Sequence, residues 1–146
     1  MCYVHTIMAN RRDLFKLAGL GAFSVLAGTA QAAGKLPNGI TRMDQAKLTK
    51  EPFGDLRIYH DGPTDQLKSM TAGSLLLKAG MTPHAPHQHE EEEFMVVTEG
   101  AGEISVEGKV TKVAAGSMMY CGAGKLHGIL NTGSKPLLFY FYKWKA

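Results

Sequence analysis

Disulfides are the first thing this 146-residue sequence lacks. Cys2 lies in an N-terminal segment that reads as removable, which leaves Cys121 alone and excludes an internal bridge. Stability must then come from packing. Cys121 ends the apolar stretch "SMMYC", where burial rather than redox chemistry is expected. A membrane-length apolar run is also missing: the stretch from Leu17 to about Ala27 is short of the ~20 residues a spanning helix needs and is broken by glycine. Charge of one sign is scarce too. The 16 basic residues barely exceed the 13 acidic ones, for a net +3, and removing residues 1–32 leaves 13 against 12, so no basic nucleic-acid surface is indicated. Beyond the N-terminal segment there is no helical pattern of ten or more residues, no helical repeat and no low-complexity tract. The length is that of one domain with a single modest core.

What is present begins with an address. "NRRDLFKLAGLGAFSVLAGTAQAAG" places paired Arg11 and Arg12 before the apolar stretch, then the small-residue arrangement Ala30-Gln31-Ala32 that a signal peptidase needs. "NRRDLFK" resembles a twin-arginine export signal, with Asn10 where Ser or Thr is usual and the Leu-Phe order inverted. The resemblance implies export of an already folded protein, with residues 1–32 cleaved and the mature chain periplasmic or otherwise outside the cytoplasm. Met8 is an alternative start, since "MCYVHTI" adds nothing to such a signal.

Residues 33–54 are rich in Gly, Pro and Lys without a clear period and read as an arm. Short strand-like stretches then follow one another: "DLRIYH", "SMTAGSLLLKAG", "EFMVVTEG", "GEISVEGK", "VTKVAAG", "SMMYCGAG", "LHGILNTG" and "PLLFYFYKW". Separated by glycine-containing turns and rich in Val, Ile, Tyr and Phe, they predict an all-β sandwich or small barrel over residues 55–146.

The chemistry concentrates in "HAPHQHEEEE", from His84 to Glu93. Residues two apart on an extended strand share a face, so His87 and His89 can reach one ion together. Odd parity carries both Glu91 and Glu93 to that side, and spacing alone does not separate them. A run of four glutamates is otherwise a solvated face or a guard against strand aggregation.

From Gly80 to Gly100, "GMTPHAPHQHEEEEFMVVTEG" resembles the first cupin motif: a glycine, H-x-H, three or four residues, a Glu, six residues and a Gly. The first glycine sits one residue early. From Gly116 to Asn131, "GSMMYCGAGKLHGILN" resembles the second, with Gly116, Gly124, His127 and Asn131 in place and Gly122 where the motif has proline, so a looser turn is expected before His127. The resemblance spans about Asp55 to Lys143. It implies a double-stranded β-helix, or jelly-roll barrel, holding a metal on His87, His89, Glu93 and His127, with a homodimer formed through its sheets.

Three neutral imidazoles and one carboxylate form a borderline N3O set suited to a divalent transition metal, Mn or Fe foremost, with Zn, Ni, Co or Cu as competitors. Glu90, Glu91 and Glu92 are left as a rim whose members can orient the imidazoles. His84 is expected in the loop, His60 at a surface turn, and Asn131 in backbone hydrogen bonding. In "LLFYFYKWK", Leu138, Tyr140, Tyr142 and Trp144 alternate with Leu137, Phe139, Phe141 and Lys143; the tail reads first as core or dimer contact and second as a pocket wall. The functions implied are a metal-dependent enzyme on a small polar molecule, whether dioxygenase, isomerase, decarboxylase or lyase, or a non-catalytic module that captures a metal or small ligand. Glu91, His84 and Tyr120 are the candidates for a general base.

Overall fold

The computed structural model describes residues 34–146. The segment read as an export signal, residues 1–32, lies outside them. Nine strands follow in order: β1 (Lys47–Glu51), β2 (Gly54–Gly62), β3 (Ser69–Leu77), β4 (Glu92–Glu99), β5 (Ala101–Val106), β6 (Lys109–Ala114), β7 (Met118–Cys121), β8 (His127–Leu130) and β9 (Leu137–Lys145). Among the described residues no helix is long and apolar enough to cross a membrane.

All strand pairings are antiparallel. One sheet has the order β1-β2-β3-β9-β4-β7 and the other β6-β5-β8. The two form a jelly-roll barrel, and the alternation along each strand decides what enters it. Leu75 and Leu77 of β3, Met95 and Val97 of β4, Ile104 of β5, Met119 and Cys121 of β7, Ile129 of β8, and Leu137 and Phe139 of β9 form one buried cluster. Leu77, Val97 and Leu137 are fully buried. Truncating a Leu at such a site costs about 2–5 kcal/mol, because the cavity left behind adds to the lost transfer energy.

The segment read as an arm carries a strand of its own. Lys47–Glu51 pairs along β2 from Lys47↔Ile58 to Glu51↔Gly54 and borders the larger sheet. Its side chains are almost all exposed, so no alternation marks it in sequence. His60 is corrected from a turn residue to a half-buried strand residue, beside the register shift between Ile58 and His60 in β2.

Two glycines hold the shape around the site. A Cβ at Gly73 would lie 2.3 Å from Cζ of Phe141, its cross-strand partner, so only glycine lets that ring lie flat over β3. Gly124 adopts φ +71° in the turn closed by the Lys125 amide donating to the Gly122 carbonyl at 3.2 Å. Glycine at that third position supplies the positive φ of a type II turn, so the turn closes without the motif's proline.

Candidate metal centre

The loop from β3 to β4 delivers His87 and His89, β4 delivers Glu93, and β8 opens on His127. Strand parity alone does not account for the pairing of His87 with His89, because β4 starts only at Glu92. The loop is instead pinned by backbone bonds: His87 and His127 exchange amide and carbonyl at 2.9 Å in both directions, and the Gly124 amide donates to the His89 carbonyl at 2.7 Å. The β7–β8 turn therefore positions both ends of the set.

The three imidazoles converge. Ring centroids lie 5.2 Å apart for His87 and His89, 4.8 Å for His87 and His127, and 4.9 Å for His89 and His127. Each offers a ring nitrogen within 4.8 Å of the others, so the three histidines could hold a metal ion. Glu93 projects inward from β4, only 5% exposed, with Oε2 at 2.9 Å from both His89 Nε2 and His127 Nε2. No hydrogen bond joins it to His87. The structure thus brings together all four residues singled out in the sequence.

The outer partners of the rings fix their tautomers. His89 Nδ1 faces the Glu91 backbone carbonyl at 3.0 Å, and His127 Nδ1 faces the Lys125 carbonyl at 2.9 Å. A carbonyl can only accept, so both Nδ1 atoms carry hydrogen, and each neutral ring turns an Nε2 lone pair toward Glu93 Oε2. Two lone pairs aimed at one carboxylate oxygen require either protons or a cation between them. His87 Nδ1 is buried without a hydrogen-bond partner among the described residues. This donor set fits a divalent transition metal.

The electrostatics differ from group to group. The hydrogen bond with Glu93 raises the pKa of His127 above the ordinary imidazole value, against burial. Burial disfavours ionisation of Glu93, yet hydrogen bonds with His127 and His89 outweigh it and hold the carboxyl below its ordinary value. Burial, with help from the neighbouring histidines, lowers the pKa of His87 and favours the neutral form a metal requires. Cys121 is buried with Sγ 3.4 Å from His127 Nδ1, and burial raises its pKa, leaving a neutral thiol packed behind the histidine.

The glutamate run divides by partner. Glu90 pairs with Lys145, Glu92 accepts a hydrogen bond from the Tyr120 hydroxyl at 2.6 Å, and Glu91 sets a carboxylate oxygen 3.3 Å from His89 Nδ1. Only Glu91 buttresses a ring. Tyr120, half-exposed against Glu92, is not among the residues lining the cavity over the histidines and is set aside as a base. His84 is exposed at the cavity mouth, its ring 4.0 Å from that of His87, with Nδ1 3.0 Å from the Ala85 carbonyl.

That cavity has a volume of about 220 Å³. His84, His87, His89 and Glu93 form its polar end; Leu56, Leu75, Met95, Ile129, Phe139 and Phe141 contribute apolar walls, and Lys143 is on its border. The sequence reading undervalued this wall: the inward face of β9 is core at Leu137 and Phe139, then cavity wall from Phe139 to Lys143. The alternation was visible, but where core ends and cavity begins depends on sheet curvature.

The comparisons with known proteins agree with this architecture. A family model described as a cupin domain matches residues 73–142. The fold is that of a cupin. Similar solved structures include an RmlC-like cupin from Shewanella frigidimarina (TM-score 0.62, 15% identity, covering 75% of this chain and 93% of that one). KdgF from a Halomonas species gives a TM-score of 0.62 at 19% identity, covering 75% and 96%. A predicted oxalate decarboxylase from Thermotoga maritima gives 0.59 at 19%, covering 74% and 100%. At these identities the likeness concerns the cupin fold alone. No curated protein matches the chain.

Proposed function

We propose that this chain is an exported, metal-dependent cupin enzyme that holds a divalent transition metal, Mn or Fe by preference, on His87, His89, Glu93 and His127. The observation that carries this reading is the cavity of about 220 Å³ that opens onto His87, His89 and Glu93. Ligand pockets commonly measure about 300–1,000 Å³, so the occupant is a small molecule. Its apolar walls favour a molecule with an apolar body and a polar head rather than a wholly polar one.

Within the site, Glu91 and the carbonyls of Glu91 and Lys125 keep His89 and His127 in the tautomer that turns Nε2 inward. The apolar wall excludes water from the reacting end and orients the substrate's body. A bound divalent ion would supply Lewis-acid polarisation of a substrate oxygen or a lowered water pKa. His84, at the mouth, is the remaining candidate to move a proton to or from the substrate.

A non-catalytic capture module is the alternative, and one observation weighs against it. A titratable group beyond the proposed ligands that can pass protons, His84, stands at the cavity mouth; capture alone needs no such group. Export in folded form supports Mn or Fe, since loading in the cytoplasm avoids open competition that favours copper and zinc.

To test this, the exported mature protein is analysed for metal and then incubated with a panel of phenols, thiols and sugar acids. Conversion of one member that disappears in His127→Ala together with the metal supports the enzyme reading. Binding without conversion across the panel supports the capture module.

A further inference from the structure

Lys143 is the one residue on the cavity border whose charge the metal site does not use. It lies on the inward face of β9, half-buried, directly across from Glu93 in the β4–β9 register and two residues beyond the wall residue Phe141. A lysine there could be a structural counter-ion, but the neighbouring acids are engaged elsewhere. Glu93 Oε2 is held by His89 and His127, Glu91 lies against His89, Glu90 pairs with Lys145, and Glu92 accepts from Tyr120. Among the described residues Lys143 makes no ion pair. Its ammonium, with three donors, is free to meet a ligand.

We propose that Lys143 is the anion-recognising residue of the cavity, and that the substrate class is a small organic carboxylate with an apolar body. This rests on the metal reading above, and charge explains why. A divalent ion and one carboxylate leave one net positive charge at the polar end of the cavity, and Lys143 adds another at its border. Lys143 is the cross-strand partner of Glu93, so one anionic group can meet both charges, and the aliphatic and aromatic walls beyond them are ones that a neutral sugar or a bare inorganic ion would leave poorly covered. A molecule with one carboxylate and a compact apolar body satisfies both requirements, its carboxylate meeting the neighbouring positive charges and its body covering the walls; a second charge would have to sit against Phe139 or Phe141, where burial without a partner is costly.

Benzoate and its neutral counterpart of similar size, benzyl alcohol, are the probes. Their affinities are measured by isothermal titration calorimetry with the full mature chain, Mn-loaded and metal-free, for the wild type, Lys143→Met and Lys143→Arg. The wild type should prefer benzoate over benzyl alcohol. Lys143→Met should lose about tenfold or more for benzoate, the factor expected of a hydrogen bond to a charged group, with benzyl alcohol affinity and manganese content unchanged. Lys143→Arg should recover part of the loss, since it keeps the charge. Equal benzoate affinity in wild type and Lys143→Met, or no wild-type preference for benzoate over benzyl alcohol, overturns the proposal. The metal reading fails separately: if the wild type holds no manganese, the benzoate preference and its dependence on Lys143 are still read in the metal-free chain.

Discussion

At the scale of single residues, the site depends on side chains that hold other side chains. Glu91 touches His89 through both its carboxylate and its own backbone carbonyl. Removing the carboxylate charge in Glu91→Gln should weaken manganese binding by about tenfold, at the lower end for partners of metal-ligating histidines, because the carbonyl remains; competition with a chelator measures this. Asn131 is fully buried and works on the fold instead. Its Nδ2 donates to the carbonyls of Leu77 at 3.0 Å and Lys135 at 2.9 Å, and its Oδ1 accepts from the Gly133 amide at 2.9 Å. Asn131→Ala leaves these groups without their partner, so chemical denaturation should show a loss of roughly 2–4 kcal/mol. The backbone role expected for Asn131 follows from this geometry, and Cys121 is buried as expected. His60 was misplaced because the turn-like "DGP" after it continues β2 as far as Gly62.

At the scale of elements, the β7–β8 turn and the β3–β4 loop act as a single support. The Gly124 amide bonds the His89 carbonyl, and His127 pairs with His87, so a disturbance at Gly124 reaches candidate ligands from both motifs. Gly124→Val would place a β-branched residue at φ +71°, a conformation such residues rarely adopt. It should reduce metal retention on dialysis as well as thermal stability, whereas Gly116→Ala, at φ +91° in the β6–β7 turn whose amide bonds Val97, four residues along β4 from Glu93, should lower stability and leave metal retention intact. The strands from β2 to β9 were legible because they are short and rich in Val, Ile, Tyr and Phe, and all but β9 end near a glycine; clear alternation marks β4, β5 and β7. β1 was not, since a strand at a sheet border with exposed side chains carries no periodic signal. The four candidate ligands were legible from motif spacing. The parity argument behind the histidine pair was not the operative one, because hydrogen bonds between the loop and β8, invisible in sequence, set their direction.

At the scale of the whole molecule, the outer face of the larger sheet carries aromatic side chains that the core does not use. Phe94 lies between Tyr120, 5.3 Å away by ring centroids, and Trp144, 5.7 Å away and stacked. Tyr142 is 42% exposed and Met118 65% exposed on the same face. A contiguous apolar patch of this kind favours self-association, and we expect a homodimer formed through it. Light scattering should give twice the chain mass for the mature protein and the single-chain mass for Tyr142→Glu. A wild-type monomer at micromolar concentration would contradict that arrangement without touching the metal site.

The proposed metal site is tested most directly by anomalous diffraction from a crystal of the metal-loaded protein, recorded on either side of the absorption edge of the metal found by elemental analysis. One peak per chain is expected, about 2.0–2.3 Å from a nitrogen of each of His87, His89 and His127 and from a carboxylate oxygen of Glu93. A protein that retains metal with its peak elsewhere, or held without His127, would contradict the assignment.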